Sequence, residues 1–170
     1  MSLQQFKSRV LPMKDKLMRF SLSLVGHTGE AEDIVQEVMI RIWDRRQQWK
    51  QIDNLEGYCM RMTRNISIDR IRSRREDLVN INQAYSLTSA SPSAQQDMEQ
   101  KEAISRIREF MEQLPEKLRT AIRLREMEGM SYQDIARIMD ISLDQVRVNL
   151  HRGRMKLREE LLKPEGYGRS

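Results

Sequence analysis

Side chains that bind metals or form disulfides are almost missing from this sequence of 170 residues. It has one cysteine, Cys59, and two histidines, His27 and His151. A structural zinc site needs four ligands at close spacing, so we expect no metal site. A single cysteine cannot form a disulfide within the chain, which favours a reducing, cytoplasmic location.

The sequence also lacks the motifs that mark the common enzyme classes. It contains no glycine-rich phosphate-binding loop, no nucleophile elbow and no histidine-centred triad. It has no signal peptide and no apolar run near the ~20 residues that a membrane-spanning helix needs. We therefore expect no enzyme, no cofactor, no small-molecule substrate and no insertion into a membrane.

Glycine, proline and aromatic residues are scarce, and this scarcity favours helices. There are 7 glycines and 4 prolines, and aromatic residues make up 5% of the chain. Leu, Met, Arg, Glu and Gln dominate instead, which predicts an all-α fold. The net charge of +5 favours a polyanionic partner, although a modest positive charge also serves solubility.

A change of composition divides the chain into two halves. Residues 76–100 are rich in Ser, Ala, Gln and Asn, contain Pro92 and have no Lys or Arg. Such a segment buries too little apolar surface to fold, so it predicts a flexible, acidic linker. We therefore expect two small helical domains, residues 1–75 and 101–164, followed by a tail at 165–170.

Two helices are predicted before residue 47. The first covers residues 2–25, is interrupted near Pro12 and ends at Gly26, a residue that suits the position after a helix. The second covers residues 28–46 and has Thr28 as its cap. Apolar residues three and four positions apart give the second helix a core-facing stripe of Ala31, Ile34, Val35, Val38 and Ile42.

One side of the second helix is acidic and lies outside that stripe. It carries Asp33, Gln36, Glu37 and Ile40, and no Lys or Arg occurs between residues 20 and 40. An acidic face on a basic protein does not suit DNA contact. It favours contact with a basic protein partner, and an ordinary solvated helix face is the other interpretation.

A polar loop at 47–54 leads into a basic helix at 55–75. Trp49 in the loop suits either a satellite of the core or a stacking surface for an unpaired base. The helix buries Leu55, Cys59, Met62 and Ile66, and it contains six Arg against two acids. Arginine favours bidentate contact with phosphates or bases, and a solvated basic face is the alternative. The residues on this basic side are Arg61, Arg64, Asn65, Arg72 and Arg75.

Two helices, at 101–113 and from Pro115 to about residue 128, are predicted to support the C-terminal motif. Pro115 suits the first turn of the second of these helices, and Gly129 ends it. The inward residues of the first helix are Ala103, Ile104, Ile107, Phe110 and Met111. Those of the second are Leu118, Ala121, Ile122 and Arg125.

The last part of the chain, residues 131–162, predicts a helix-turn-helix. Ser131 caps a short helix, and the pattern breaks at residues 140–142, which is the turn length that the motif needs. Ser142 then caps a second helix, with Gln145 completing a capping box. Gly153 lies where close packing is needed, beneath a stripe formed by Leu143, Val146, Leu150, Leu157 and Leu161.

The other faces of this second helix are basic. Residues 145–158 include five Lys or Arg and no acid, whereas a solvated helix usually mixes both signs. An α-helix fits the major groove of DNA, where base edges present a full hydrogen-bonding code. A soluble amphipathic helix hairpin is the alternative. The residues expected to read DNA are Ser142, Asp144, Arg147, Val148, His151, Arg152 and Arg154.

The order of these parts resembles the extracytoplasmic-function (ECF) sigma factors of bacterial RNA polymerase, a group of the sigma-70 family. The resemblance covers nearly the whole chain. It is most specific at residues 31–38 with Ile42 and Trp43, at Arg64-Asn65 with Asp69 and Arg70, and at residues 150–157. Two departures stand out: the loop before Leu55 is less aromatic than is common, and Ala or Ser often occupies the position of Gly153.

The resemblance implies a function for each face. The acidic face would dock on the clamp helices of the polymerase β′ subunit, and the linker would run along the polymerase, whose β subunit is a further partner. The loop and helix from Asn54 to Arg75 would read and melt the −10 promoter element, with a flipped base held near the loop. The second helix of the C-terminal motif would read the −35 element. Family members are often held inactive by an anti-sigma protein, which is therefore an expected partner.

Two other functions compete with this interpretation. A self-sufficient DNA-binding regulator would need a ligand pocket or a phosphoacceptor in its N-terminal half, and the sequence offers neither. A helical adaptor without any DNA role would not need a helix face at residues 145–158 that carries only positive charges.

Overall fold

The computed structural model describes the backbone of residues 2–80 and 98–163 and the side chains of residues 2–76 and 104–163. Its regular structure is helical, and within these ranges there is no strand, so the all-α prediction is confirmed. The chain divides into two compact units, the first built on α1–α4 and the second on α5–α8. The helices are α1 (Leu3–Arg9), α2 (Lys14–Val25), α3 (Thr28–Asp44), α4 (Leu55–Asn80), α5 (Met98–Gln113), α6 (Glu116–Ile122), α7 (Tyr132–Met139) and α8 (Leu143–Leu161).

The core of the first unit lies between α2, α3 and α4, which pack pairwise against one another. All five apolar residues predicted for the α3 stripe are buried, so that prediction is confirmed. They meet Leu17 and Phe20 of α2 and the buried part of α4, which includes Cys59, Met60 and Ile66. Each of these large side chains contributes about 1.5–3 kcal/mol by leaving water.

The ends of α1–α3 follow local rules, with one correction. A 3₁₀ turn at Leu11–Met13 separates α1 from α2 at Pro12, and Gly26 ends α2 in the left-handed conformation with φ = 73°. Both features were predicted. Thr28 as the cap of α3 was wrong, because His27 takes that place and its Nδ1 accepts from the Glu30 N–H at 3.5 Å.

The predicted bounds of two helices were also wrong. The basic helix α4 does not stop at Arg75 but continues to Asn80, and α5 begins at Met98 instead of residue 101. Of the two alternatives for Trp49, the satellite of the core is confirmed and the stacking surface is not, since the ring is buried and its Nε1 donates to the Ile42 carbonyl at 2.9 Å. The predicted linker at 76–100 lies for the most part outside the described residues.

The second unit contains the predicted helix-turn-helix, α7 and α8. The Ser131 hydroxyl accepts from the Asp134 N–H at 3.1 Å, and the Ser142–Gln145 capping box is complete. Asp140 makes the turn between them in the left-handed conformation, at φ = 55°. Both caps and the turn are therefore confirmed.

The packing of α8 against α6 depends on Gly153. A Cβ atom at this position would lie 2.8 Å from Cγ1 of Ile122, closer than carbon atoms normally approach. The predicted stripe of α8 is buried at Val146 and Leu150 and half-buried at Leu143 and Leu157, and Gly153 is buried beside it. Close packing at the glycine is thus confirmed.

Three residues predicted to face inward are exposed instead. Ile104 and Ile107 of α5 are 58% and 38% exposed, and Leu161 of α8 is 57% exposed. Ile107 and Leu161 line an open apolar groove between α5 and the end of α8. The prediction was wrong because none of the described side chains fills this groove; among the described residues of α5 only Met111, in its last turn, is buried, and Leu114 directly after the helix is buried as well.

The helix that starts at α6 changes its winding before Gly129. Residues Arg123–Met127 form a π-helical turn, in which the Glu128 N–H bonds to the Arg123 carbonyl at 3.1 Å. Gly129 then ends the helix at φ = 66°, as predicted. The sequence pattern predicted a uniform helix here, so the π turn is a correction to it.

Candidate nucleic-acid and protein-binding surfaces

The acidic residues predicted on α3 form one surface, which we call the docking face: Asp33, Gln36, Glu37 and Ile40. Asp33, Gln36 and Ile40 are exposed, and Glu37 is half-buried. Spacings of three and four place all four on one side of a helix. Ile40 is 62% exposed, which is high for a large apolar side chain among polar neighbours.

The docking face is joined by ion pairs to basic residues. Oε1 of Glu37 accepts from Arg41 at 2.5 Å, one turn further along α3, and its Oε2 lies 3.4 Å from Arg70 of α4. Closer to the start of α3, Glu30 pairs with Arg74 of α4. The acids of α3 therefore face arginines of α4 along the contact between the two helices.

The basic side of α4 is open to solvent over most of its length. Arg61, Asn65, Arg72 and Arg75 are exposed, and Arg64 is half-buried. Asn54 has a different environment: its Oδ1 accepts from the Gly57 N–H at 2.8 Å, as in a helix cap. The structure thus brings the α4 residues together on the helix surface and places Asn54 at the start of the helix.

A groove of about 260 Å³ lies between α3 and α4, and we call it the α3–α4 groove. Arg61 and Asn65 line it from the predicted basic side, together with Tyr58, whose hydroxyl hydrogen-bonds with Arg45 at 2.8 Å. Its full lining is Arg41, Arg45, Tyr58, Arg61, Met62, Asn65, Ile66 and Asp69. Three guanidinium groups, one phenol ring and one amide suit an anionic strand that carries an unstacked base.

Arg41 and Arg45 are groove residues that sequence reasoning missed. The first part of α3 is acidic, with no Lys or Arg between residues 20 and 40, and these two arginines come after that part. The available signal was that both arginines lie one turn apart near the C-terminal end of α3, where cations are favoured. Only the packing of α3 on α4 reveals that they share a groove with Arg61 and Asn65.

The predicted DNA-reading residues of α8 form a second exposed surface, the reading face. All seven are exposed, and Val148, at 45%, adds an apolar contact among the cations. Within the described part of the chain, the side chains of His151 and Arg152 make no hydrogen bond or ion pair. The reading face consists of Ser142, Asp144, Arg147, Val148, His151, Arg152 and Arg154.

Four members of the reading face, Ser142, Asp144, Arg147 and Arg154, are held by neighbours. Ser142 is engaged in the helix cap, and Arg147 bonds to Asp144 at 2.8 Å. Arg154 donates from Nε and Nη2 to one oxygen of Glu126, at 2.9 and 2.5 Å. Hydrogen bonds with Glu126 and then Tyr132 raise the pKa of Arg154, so its charge is fixed.

The chemistry available in the described residues is that of binding. No cluster of three or more His, Cys, Asp or Glu side chains that could hold a metal occurs among them. Burial raises the pKa of the Cys59 thiol to about 12, so this thiol stays protonated and unreactive. No helix in the described ranges is long and apolar enough to span a membrane.

Two family models match this chain. The model for Sigma-70 region 2 matches residues 10–76, and the model for Sigma-70, region 4, matches residues 104–157. The first match covers the docking face and the α3–α4 groove. The second covers the reading face.

Curated relatives and solved structures resemble the chain along most of its length. ECF RNA polymerase sigma factor SigE of Mycolicibacterium smegmatis is 31% identical over 151 residues, covering 88% of this chain. This chain spans only 58% of that relative. ECF RNA polymerase sigma factor SigW of Bacillus subtilis is 29% identical over 157 residues, covering 87% of this chain and 84% of the relative.

Two solved structures share the fold. The sigma factor RpoE of Bartonella quintana, crystallised with the anti-sigma factor NepR, superposes with a TM-score of 0.80 at 24% identity. That match covers 94% of this chain and 98% of the other. CnrH, in complex with the cytosolic domain of CnrY, gives a TM-score of 0.67 at 18% identity and covers 94% of this chain and 89% of CnrH.

Proposed function

This chain belongs to the sigma-70 family, in its extracytoplasmic-function group of alternative sigma factors, and we propose from that premise how its two units initiate transcription. Sigma factors are initiation factors and not enzymes; the polymerase performs the catalysis. The first unit docks on core RNA polymerase and opens the −10 element, and the second unit reads the −35 element. The observation that carries this proposal is the change in the sign of the charge within the first unit, where an acidic docking face lies next to an arginine-lined groove.

The docking face binds the clamp helices of the β′ subunit. Its carboxylates suit a basic partner, and Ile40 supplies an exposed apolar side chain of the kind that anchors interfaces. Glu37 is already paired with two arginines of its own chain. Replacing one of these arginines by a cation of the polymerase therefore costs little free energy. The proposed contact residues are Asp33, Gln36, Glu37 and Ile40.

The basic side of α4 contacts the −10 element. Arg61 and Asn65 line the α3–α4 groove, where Tyr58 offers a stacking surface for a base that has left the duplex. Arg64, Arg72 and Arg75 extend the basic surface along α4 toward the backbone phosphates. Asn54 contributes through its cap, which fixes the loop in front of the helix.

The reading face contacts the −35 element with α8 in the major groove. Its N-terminal residues, from Ser142 to Arg147, are the ones expected to contact the base edges. Arg152 and His151 are exposed and have no ion-pair partner among the described residues. They are suited to bases or phosphates, while Arg154 is held against Glu126.

The remaining assignments rest on the family. Residues 1–75 and 101–164 are proposed as the two functional domains, with 76–100 as a linker that follows the polymerase and its β subunit. Core polymerase and promoter DNA place the protein in the cytoplasm. Both solved relatives are bound to a protein partner, RpoE to the anti-sigma factor NepR and CnrH to the cytosolic domain of CnrY, and we assign a comparable anti-sigma partner to this chain.

Run-off transcription with purified bacterial core polymerase tests the proposal. The protein is added to core polymerase on a library of promoter fragments, and the 5′ ends of the transcripts are mapped. Discrete new transcripts that require the protein would support the function and define both promoter elements. No transcripts, together with tight polymerase-free binding to one DNA site, would instead establish a stand-alone regulator.

A further inference from the structure

Glu37 belongs to two surfaces at once. It lies on the docking face, and its Oε1 holds the guanidinium of Arg41 at 2.5 Å. Its other carboxylate oxygen, Oε2, is 3.4 Å from Arg70. One carboxylate therefore connects the surface that meets protein with a residue that lines the α3–α4 groove.

Arg41 has the position of a strand-binding residue. It is about half exposed and lines the groove together with Arg45 and Arg61. A single carboxylate, that of Asp69, lines the same groove. Phosphate oxygens bind arginine with paired hydrogen bonds, so a strand in the groove competes directly with Glu37 for this guanidinium.

We propose that Arg41 is a further DNA-contacting residue whose charge Glu37 masks in the free protein. The inference rests on the proposed function, because it requires the polymerase to engage the docking face. When a cation of the polymerase takes the Glu37 carboxylate, Arg41 is released and binds a backbone phosphate of the strand in the groove. Docking on polymerase thereby raises the affinity of the groove for DNA.

The low energy of exposed ion pairs makes this exchange feasible. Such pairs shift an equilibrium only about 1.4- to 5-fold. The polymerase and DNA can therefore displace the Glu37–Arg41 pair at a small cost in free energy. The masking is therefore graded: it weakens binding to DNA by the free protein without abolishing it.

A mutant cycle on the free protein tests the masking. The affinity for a labelled, short oligo-dT strand is measured at low salt by fluorescence anisotropy, because phosphate contacts do not depend on sequence. Glu37→Gln removes one negative charge and unmasks Arg41. Asp33→Asn is the matched control, since it removes the same charge from the same face without touching Arg41.

Glu37→Gln should tighten binding roughly 2- to 5-fold more than Asp33→Asn does. This excess should disappear when both variants are made in an Arg41→Gln background. Equal gains in oligo-dT affinity for the two variants would overturn the masking. So would an excess gain for Glu37→Gln that persists in the Arg41→Gln background.

A second arm uses the polymerase complex. In assembled holoenzyme, Arg41→Gln should shorten the lifetime of the open promoter complex several-fold relative to Arg9→Gln, which removes the same charge from α1. Equal lifetimes for the two variants, in holoenzyme that still transcribes, would refute the DNA contact of Arg41. Failure of the wild-type protein to support any transcription would instead refute the proposed function, and the oligo-dT cycle would still decide whether Glu37 masks Arg41.

Discussion

Replacing Gly153 by alanine should destabilise the second unit, and the sign of the effect should depend on Ile122. The new Cβ would lie 2.8 Å from Cγ1 and 3.1 Å from Cδ1 of Ile122, whereas carbon atoms prefer about 3.5–4.0 Å. Overpacking of this kind costs about 1–3 kcal/mol. Alanine in a helix interior gains about 0.8–1 kcal/mol over glycine. The net change is a loss of about 0–2 kcal/mol.

The same substitution should be stabilising in an Ile122→Ala background. Removal of the Ile122 side chain eliminates both close contacts, and the nearest remaining atom, the Leu118 carbonyl oxygen at 3.7 Å, is at an ordinary distance. Gly153→Ala should then gain about 1 kcal/mol from helix propensity alone. The coupling between the two positions is the overpacking term, about 1–3 kcal/mol. Ile122→Val is the matched control, because valine keeps a carbon at the Cγ1 position and should leave the conflict in place.

Urea unfolding of the full chain can be followed separately in the two units. Both tryptophans, Trp43 and Trp49, lie in the first unit, so their fluorescence serves as an internal control that should not change. Hydrogen exchange of the α8 amides reports the second unit. Gly153→Ala with the same effect in the wild-type and Ile122→Ala backgrounds would refute the packing argument, because the close contact would then have no energetic consequence.

Three further predictions concern the proposed function and the core. Asp33→Arg combined with Glu37→Arg should abolish binding to core polymerase in a titration, while Glu32→Arg, on the same helix but outside the docking face, should leave it intact; normal affinity of the double variant would remove the docking assignment. Arg147→Ala or Arg152→Ala should reduce transcription from −35-dependent promoters about 5- to 150-fold, the worth of a base or phosphate contact of about 1–3 kcal/mol. Arg108→Ala on α5 is the control, and unchanged transcription from all cognate promoters would count against the reading face. Cys59 should react with a thiol reagent only when the first unit opens, since burial raises its pKa to about 12. The neutral thiol stabilises the fold below its ordinary pKa of about 9, and this contribution is lost as the pH rises toward 12, so rapid labelling of folded protein at neutral pH would contradict the buried environment.

The features that sequence predicted correctly depend on neighbours along the chain. Caps such as Ser131 and Ser142 need partners only three residues away, and Gly26 and Gly129 end helices through their own backbone freedom. The α3 stripe is equally local, because a repeat of three and four residues defines one helix face. The cap of α3 was missed because histidine is not among the residues that usually cap helices, whereas the neighbouring Thr28 is.

The features that sequence failed to predict depend on contacts with helices that are distant along the chain. The apolar spacing of Ile104 and Ile107 indicates a face that seeks a partner, but it does not show whether the chain supplies one. Arg41 and Arg45 became groove residues only through the packing of α3 on α4. The roles of the docking and reading faces remain predictions, because the fold establishes their exposure and grouping but not what they bind.

The π turn at Arg123–Met127 has a consequence for how related proteins can be recombined. Its side chains diverge to different neighbours: Arg123 bonds to Glu112 of α5, Arg125 to the Met130 carbonyl, and Glu126 to Arg154 of α8. Deleting one residue here would restore regular winding and change the directions in which these three side chains leave the helix, so their contacts with different neighbours could not all be kept. Chimeras that exchange promoter specificity between relatives should therefore keep the length of this segment and place their junctions on either side of it.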